Sequence, residues 1–81
     1  MKVLVTYHGI IGDMIGRKQQ ELDLADGATV ADLRAALEAE SDRKASVLKQ
    51  ARTFVAGHLA PKESVLTDGT EVTFMRPIGG G

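Results

Sequence analysis

Cysteine is absent from the 81 residues. That absence removes disulfide staples, thiolate nucleophiles, zinc–cysteine sites and iron–sulfur ligation together. An excess of charge of one sign is also lacking: ten Lys and Arg stand against eleven Asp and Glu, a net charge of −1, so no footprint for nucleic acid stands out. The start, Met1-Lys2-Val3-Leu4-Val5-Thr6-Tyr7, carries a positive charge but no apolar run of the length a signal peptide requires, and no segment approaches membrane-spanning length. The expectation is a soluble cytoplasmic protein that contacts neither nucleic acid nor membrane. Ser41, Ser46 and Ser64 lie in polar contexts without a nucleophile-elbow pattern, which gives no support to a hydrolase. His8 and His58 have no matching cluster of Cys, Asp or Glu, so no metal site is expected.

What is present is enough for one small domain with a single modest core. Residues 2 to 8 alternate Val3, Val5 and Tyr7 against Leu4, Thr6 and His8, a strand pattern whose two faces are both partly apolar. Two glycines in Gly9-Ile10-Ile11-Gly12-Asp13 signal a turn. Alternation then resumes over residues 18 to 24, with Gln20, Leu22 and Leu24 on one face, so a hairpin is expected. After the Asp26-Gly27 turn, Thr29 sits where an N-cap belongs and Asp32 completes a capping-box spacing. A helix is predicted from Val30 to about Glu40, burying a stripe of Val30, Leu33 and Leu37, with Ala31, Ala35, Ala36 and Ala39 adding helix propensity.

Residues 41 to 50 are consistent with a second, short helix. Thr53-Phe54-Val55-Ala56 reads as a strand and Gly57-His58 as a turn. Leu59-Ala60-Pro61 begins an irregular return, with Pro61 arguing against a central strand. Asp68-Gly69 is a strong turn dipeptide ahead of a last strand over residues 71 to 76, which Pro77 ends. The order predicts an α+β layering, with a mixed four- to five-stranded sheet, one main helix on one face, and the first and last strands side by side in the centre. The domain is taken as residues 1–77 and the remainder, 78–81, as a flexible glycine tail. Lys2, Lys44, Lys49 and Lys62 read as ordinary surface charges.

Three segments carry a resemblance: Asp26-Gly-Ala-Thr-Val-Ala-Asp-Leu33, Leu66-Thr-Asp-Gly-Thr-Glu-Val-Thr-Phe74, and a proline followed by closing glycines. In residue type and order they resemble the MoaD/ThiS family of ubiquitin-like sulfur carriers, whose fold is the β-grasp. The resemblance covers nearly the whole chain and is silent at about residues 41 to 52. It implies a carrier rather than an enzyme. Gly81 would be adenylated by an ATP-dependent activating enzyme of the ubiquitin-activating type and converted to a thiocarboxylate by a sulfur donor, for delivery to a sulfur-accepting synthase or large subunit. Gly79 and Gly80 would be the slim residues that let the terminus enter a narrow cleft. ATP would be used by the activating enzyme, with no cofactor bound to the carrier itself.

The chemistry agrees with that implication. A terminal carboxylate titrates near pH ~3.5, so at neutral pH it is an anion and a poor electrophile until a leaving group is attached. Adenylation supplies the leaving group, and glycine's missing side chain permits a close approach to ATP. Two departures from the family pattern stand out. Members that pair with the large subunit of molybdopterin synthase often end Pro-Pro-Val-Ala-Gly-Gly, whereas this chain has Arg76-Pro77-Ile78-Gly79-Gly80-Gly81. Ala56-Gly57 also replaces a common Asn-Gly.

Alternation places Leu4 and Met75 on the sheet face away from the main helix. There they would form a partner surface with Arg76, Pro77 and Ile78, unless Ile10, Ile11 or residues 41 to 50 fold over them. Three functional expectations remain open: a sulfur carrier, the small subunit of molybdopterin synthase, and a protein modifier joined through Gly81 to lysines of targets.

Overall fold

In the computed structural model, which describes residues 1–77, a five-stranded sheet runs in the order β2-β1-β5-β3-β4. Its strands are β1 (Lys2–Tyr7), β2 (Gln19–Asp23), β3 (Arg52–Val55), β4 (His58–Leu59) and β5 (Glu71–Met75). The helices are α1 (Ile10–Ile15), α2 (Val30–Glu38) and α3 (Asp42–Leu48). The expected neighbours are in place: β1 and β5 pair in parallel at the centre, with Leu4 opposite Glu71 and Tyr7 opposite Phe74. β1 also pairs antiparallel with β2, and β5 with β3.

Local chemistry explains the helices. At the start of α2 the Thr29 hydroxyl accepts from the Asp32 N–H at 3.3 Å, and the Asp32 carboxylate accepts from the Thr29 N–H at 2.9 Å, a reciprocal capping box. α2 ends at Glu38, slightly earlier than the spacing predicted. α3 takes up the segment read as a short second helix, with the Ser41 hydroxyl accepting from the Lys44 N–H at 3.0 Å. Val3, Val5, Tyr7, Val72 and Phe74 meet Ile11, Leu33, Leu37, Val47 and Leu48 in one core, so all three helices lie on the same side of the sheet.

Three local expectations give way. Residues 9 to 13 were expected to turn, yet Ile10–Ile15 forms α1. Burial decides this: Ile11 is fully enclosed, and Gly12 lets the helix lie so close to β1 that an added Cβ would sit 2.6 Å from the Tyr7 carbonyl oxygen. The expected Gly57-His58 turn sits one residue earlier, on Ala56 and Gly57 at φ 49° and 84°, the positive pair that a tight hairpin requires. His58 and Leu59 are thereby freed to pair with β3 as an edge strand, Phe54 opposite Leu59. The last strand ends at Met75, one residue before Arg76.

Lys44, read as a surface charge, is buried. Its Nζ donates to Gln20 at 2.8 Å and to Glu40 at 2.6 Å, while lying 5.7 Å from the centroid of the Tyr7 ring. The Tyr7 hydroxyl donates to the same Gln20 oxygen at 2.6 Å. This network satisfies every polar group it buries and ties α3 to the sheet.

Candidate functional site

The candidate site is the end of β5 and the sheet face beside it. β5 is held on both flanks by β1 and β3, and the His8 N–H donates to the Phe74 carbonyl at 2.9 Å one residue before the strand ends. The Phe74 side chain is fully buried, stacked on Tyr7 with ring centroids 6.1 Å apart. The Arg34 guanidinium lies 5.5 Å from the Phe74 ring centroid on α2's side, so the last turn of the β5 pleat is fixed from above. Beyond Met75 the chain leaves the ladder. Arg76 is exposed, and Pro77, which has no N–H to give, is exposed after it. The neck therefore starts from a rigid central strand.

The face opposite the helices can be built row by row from the strand registers. One row brings Glu21, Leu4 and Glu71 side by side. The next runs Gln19, Thr6, Thr73, Phe54 and Leu59 across all five strands. The row at the neck pairs Met75 with Arg52. Leu4, Phe54 and Met75 are half-buried, and Leu59 is 57% exposed. Among the described residues no helix covers this face, because Ile11, Val47 and Leu48 lie in the core on the other side and Ile10 is 49% exposed.

Of the partner residues predicted from sequence, Leu4 and Met75 share this face as expected but do not touch. The register places them four residues apart along the strands, about 13 Å at the usual rise. Arg76 and Pro77 follow directly on Met75. Ile78, Gly79, Gly80 and Gly81 lie outside the described residues.

Phe54 and Leu59, which add apolar side chains to this face on β3 and β4, were not singled out in the sequence. The usable signal was parity: Thr53 is the inward residue of β3 and is buried, so Phe54 must face outward. The covered side of the neck draws on Arg34, whose guanidinium donates to the Thr53 hydroxyl at 3.0 Å, to the Ala51 carbonyl at 3.3 Å and to the Leu48 carbonyl. One residue thus binds the end of α3 and the start of β3 to the ring beneath the neck.

Electrostatics separate this face from the interior. Burial, with the negative charge of Glu40 adding, pushes the Tyr7 hydroxyl up from 10.0 to about 12. The hydrogen bond from Lys44 holds the Glu40 carboxyl below its usual value. Neither group reaches the open face. Among the described residues no group of three or more His, Cys, Asp and Glu is placed to hold a metal ion, and no helix is long and apolar enough to cross a membrane.

The ThiS family model matches residues 5–81. The chain is 33% identical to the molybdopterin synthase sulfur carrier subunit of Escherichia coli, over 98% of this chain and 99% of that one. Among solved structures, SAMP1 from Haloferax volcanii superposes with a TM-score of 0.86 at 18% identity, each chain covered in full. The complex of subunits 1 and 2 of the molybdopterin-converting factor from Helicobacter pylori contains a chain that superposes with a TM-score of 0.75 at 23% identity, again over the full length of both. These two likenesses establish the ubiquitin-like β-grasp fold, and the family match together with the Escherichia coli relative establishes descent: the chain belongs to the ThiS family.

Proposed function

We propose that the chain is a sulfur-carrier protein that acts through the carboxylate of Gly81. The observation that supports it most directly is the neck: a central strand pinned by Arg34, His8 and Tyr7 releases the chain at Met75, beside a mixed apolar and charged sheet face that no helix covers among the described residues. The family match runs through Gly81, and the Escherichia coli relative, a sulfur carrier subunit, is aligned over nearly its whole length.

In the proposed cycle an activating enzyme docks on the open face near Met75 and takes the glycine tail into its cleft. A Gly81 carboxylate oxygen attacks the α-phosphorus of ATP and pyrophosphate leaves. Hydrosulfide released by the donor then attacks the acyl carbon and AMP leaves, which gives the thiocarboxylate and a proton. The thiocarboxylate sulfur attacks an electrophilic carbon of the acceptor and displaces its leaving group; water then cleaves the acyl–sulfur bond, which leaves the sulfur on the acceptor and returns the carboxylate. The carrier contributes no acid, base or metal to these steps. Its part is to present the terminus and to be recognised.

Intact-mass measurement of the protein isolated from its own cells tests this reading. Replacement of one oxygen by one sulfur, lost on deletion of Gly81, is the expected result. Absence of that species across growth conditions overturns it.

The Escherichia coli relative favours one more specific version, in which the carrier is the small subunit of a molybdopterin synthase and inserts its tail into a large subunit. Arg76, standing where such subunits often have proline, is the feature that version must accommodate. Co-purification with a large subunit and loss of molybdoenzyme activity on deleting Gly81 are expected. Normal molybdoenzyme activity in the deletion strain excludes it.

A further inference from the structure

The open face is ordered by charge along the strands. At the end far from the neck, the last row sets Lys2 opposite Asp23, and in the row before it Glu21 and Glu71 flank Leu4 across two strand spacings, about 9.5 Å, so three carboxylates face one ammonium there; the Thr6 hydroxyl donates to Glu71 at 2.8 Å, which holds that carboxylate in place. The middle row is uncharged: Gln19, Thr6, Thr73, Phe54 and Leu59. At the neck, Arg52 stands beside Met75 and Arg76 follows it. Neither arginine forms an ion pair among the described residues.

The two ends lie about 13 Å apart, more than the Debye length of ~8 Å at physiological ionic strength, so a partner meets each end as a separate local charge. Net charge, at −1, cannot supply the same information.

We propose that this order of acidic, uncharged and basic rows sets the direction in which the activating enzyme receives the carrier. The complementary surface carries acidic side chains at the mouth of the cleft that takes the tail, where they meet Arg52 and Arg76. It has an apolar patch for Phe54 and Leu59 toward the β4 edge, and a cationic group about 13 Å along the strands from the neck, opposite Glu21 and Glu71. A carrier turned end for end on this surface would set like charges together at both ends. The charge order therefore selects the one orientation in which the neck points into the cleft. The inference rests on the carrier reading above and names the chemistry of the partner's side.

The test measures ATP–pyrophosphate exchange by the cognate activating enzyme against carrier concentration. Arg52→Glu with Arg76→Glu is expected to raise KM roughly ten-fold or more, with kcat at saturation within about two-fold. Glu21→Lys with Glu71→Gln shifts net charge in the opposite sense and is also expected to raise KM, by roughly three-fold or more. Arg52→Gln with Arg76→Gln, which introduces no new charge, should act in the same direction as the reversal with a smaller effect. Lys49→Glu with Lys62→Glu, on exposed positions away from the face, should change KM by less than about two-fold.

The proposal is overturned if the arginine variants leave KM unchanged. It is also overturned if the acidic variants lower KM, or if the lysine control matches the arginine reversal, because each of those results would mean that net charge governs docking. A salt-sensitive dimer in sedimentation that disappears in the Arg52→Glu, Arg76→Glu variant would give the face to a second copy and would equally overturn it. Absence of exchange with the unaltered protein would instead count against the carrier reading itself.

Discussion

The Arg34 guanidinium lies over the Phe74 ring, 5.5 Å from its centroid, and the same group donates hydrogen bonds to Leu48, Ala51 and Thr53. A helix residue thereby closes three seams at once: the end of α3, the start of β3, and the core side of the strand that becomes the neck. A planar fork with several fixed donors suits this position, whereas an ammonium on a flexible stem does not. Arg34→Met is expected to cost about 2–3 kcal/mol, since it strands the buried Thr53 hydroxyl and backbone carbonyls. Arg34→Lys should cost about 1–2 kcal/mol, because Lys can reach only part of the set. Urea unfolding measures both. Amide exchange at Phe74 and Met75 should accelerate in the variants, and unchanged protection there would mean that Arg34 does not stiffen the neck.

Alkaline pH should weaken the fold through Tyr7. Its folded value of about 12 lies above the ordinary 10.0, so the unfolded chain ionises first and the native state holds its proton longer. The contribution is whole below pH 10.0 and falls as pH rises towards about 12. Tyr7 is the only tyrosine, so the ultraviolet absorbance of tyrosinate reports this one group without ambiguity. Titration of the folded protein near 10 instead would overturn the account. At the acid end the sign reverses: Glu40 is held below its usual value by Lys44, so its contribution is present above the ordinary carboxylate range and is lost as pH falls through the lowered value.

Much of this architecture was legible because the deciding signals were local. The capping box at Thr29 and Asp32 is complete within four residues, and the β1 and β5 alternation specifies one inward face without reference to anything else. The segments that misread are those where a distant contact decides. Gly9 and Gly12 look like turn residues. Gly12, however, is there because α1 must lie against the Tyr7 carbonyl, a contact no sequence window contains. Lys44 looks solvated, and only the fold brings Gln20 and Glu40 to its ammonium. At the site, Leu4 and Met75 were found by parity, while Phe54 was missed because its small polar neighbour Thr53 takes the buried place.

Ala56 offers a stabilising substitution. It holds φ at 49°, a region that costs an L-residue with a Cβ about 1 kcal/mol, where Asn is tolerated through local hydrogen bonding. Ala56→Asn should raise stability by about 0.5–1 kcal/mol without altering the β3–β4 pairing, and Ala56→Val should lower it by at least as much. Thermal melts of the three proteins give the order Asn, Ala, Val if the turn is as described. Any other order would show that the turn relaxes to a different geometry when the residue changes.

Phe54 and Leu59 sit on the open face toward its β4 edge, and their burden should fall on docking rather than on folding. Leu59 is 57% exposed, so Leu59→Ser should change unfolding free energy by no more than about 0.5 kcal/mol. Phe54 is half-buried and Phe54→Ser should cost more, about 1 kcal/mol. In exchange assays with the activating enzyme, an aromatic anchor is worth about 2 kcal/mol or more at a protein interface, which corresponds to roughly thirty-fold in KM for Phe54→Ser. The informative control is Val65, which is 63% exposed but is bridged to Thr29 at the foot of α2, away from the face. Val65→Ser removes a more exposed apolar side chain than either and should leave KM unchanged. If it raised KM as much as Phe54→Ser, apolar exposure in general would govern the encounter. If Phe54→Ser had no effect, the open face would not be where the enzyme binds.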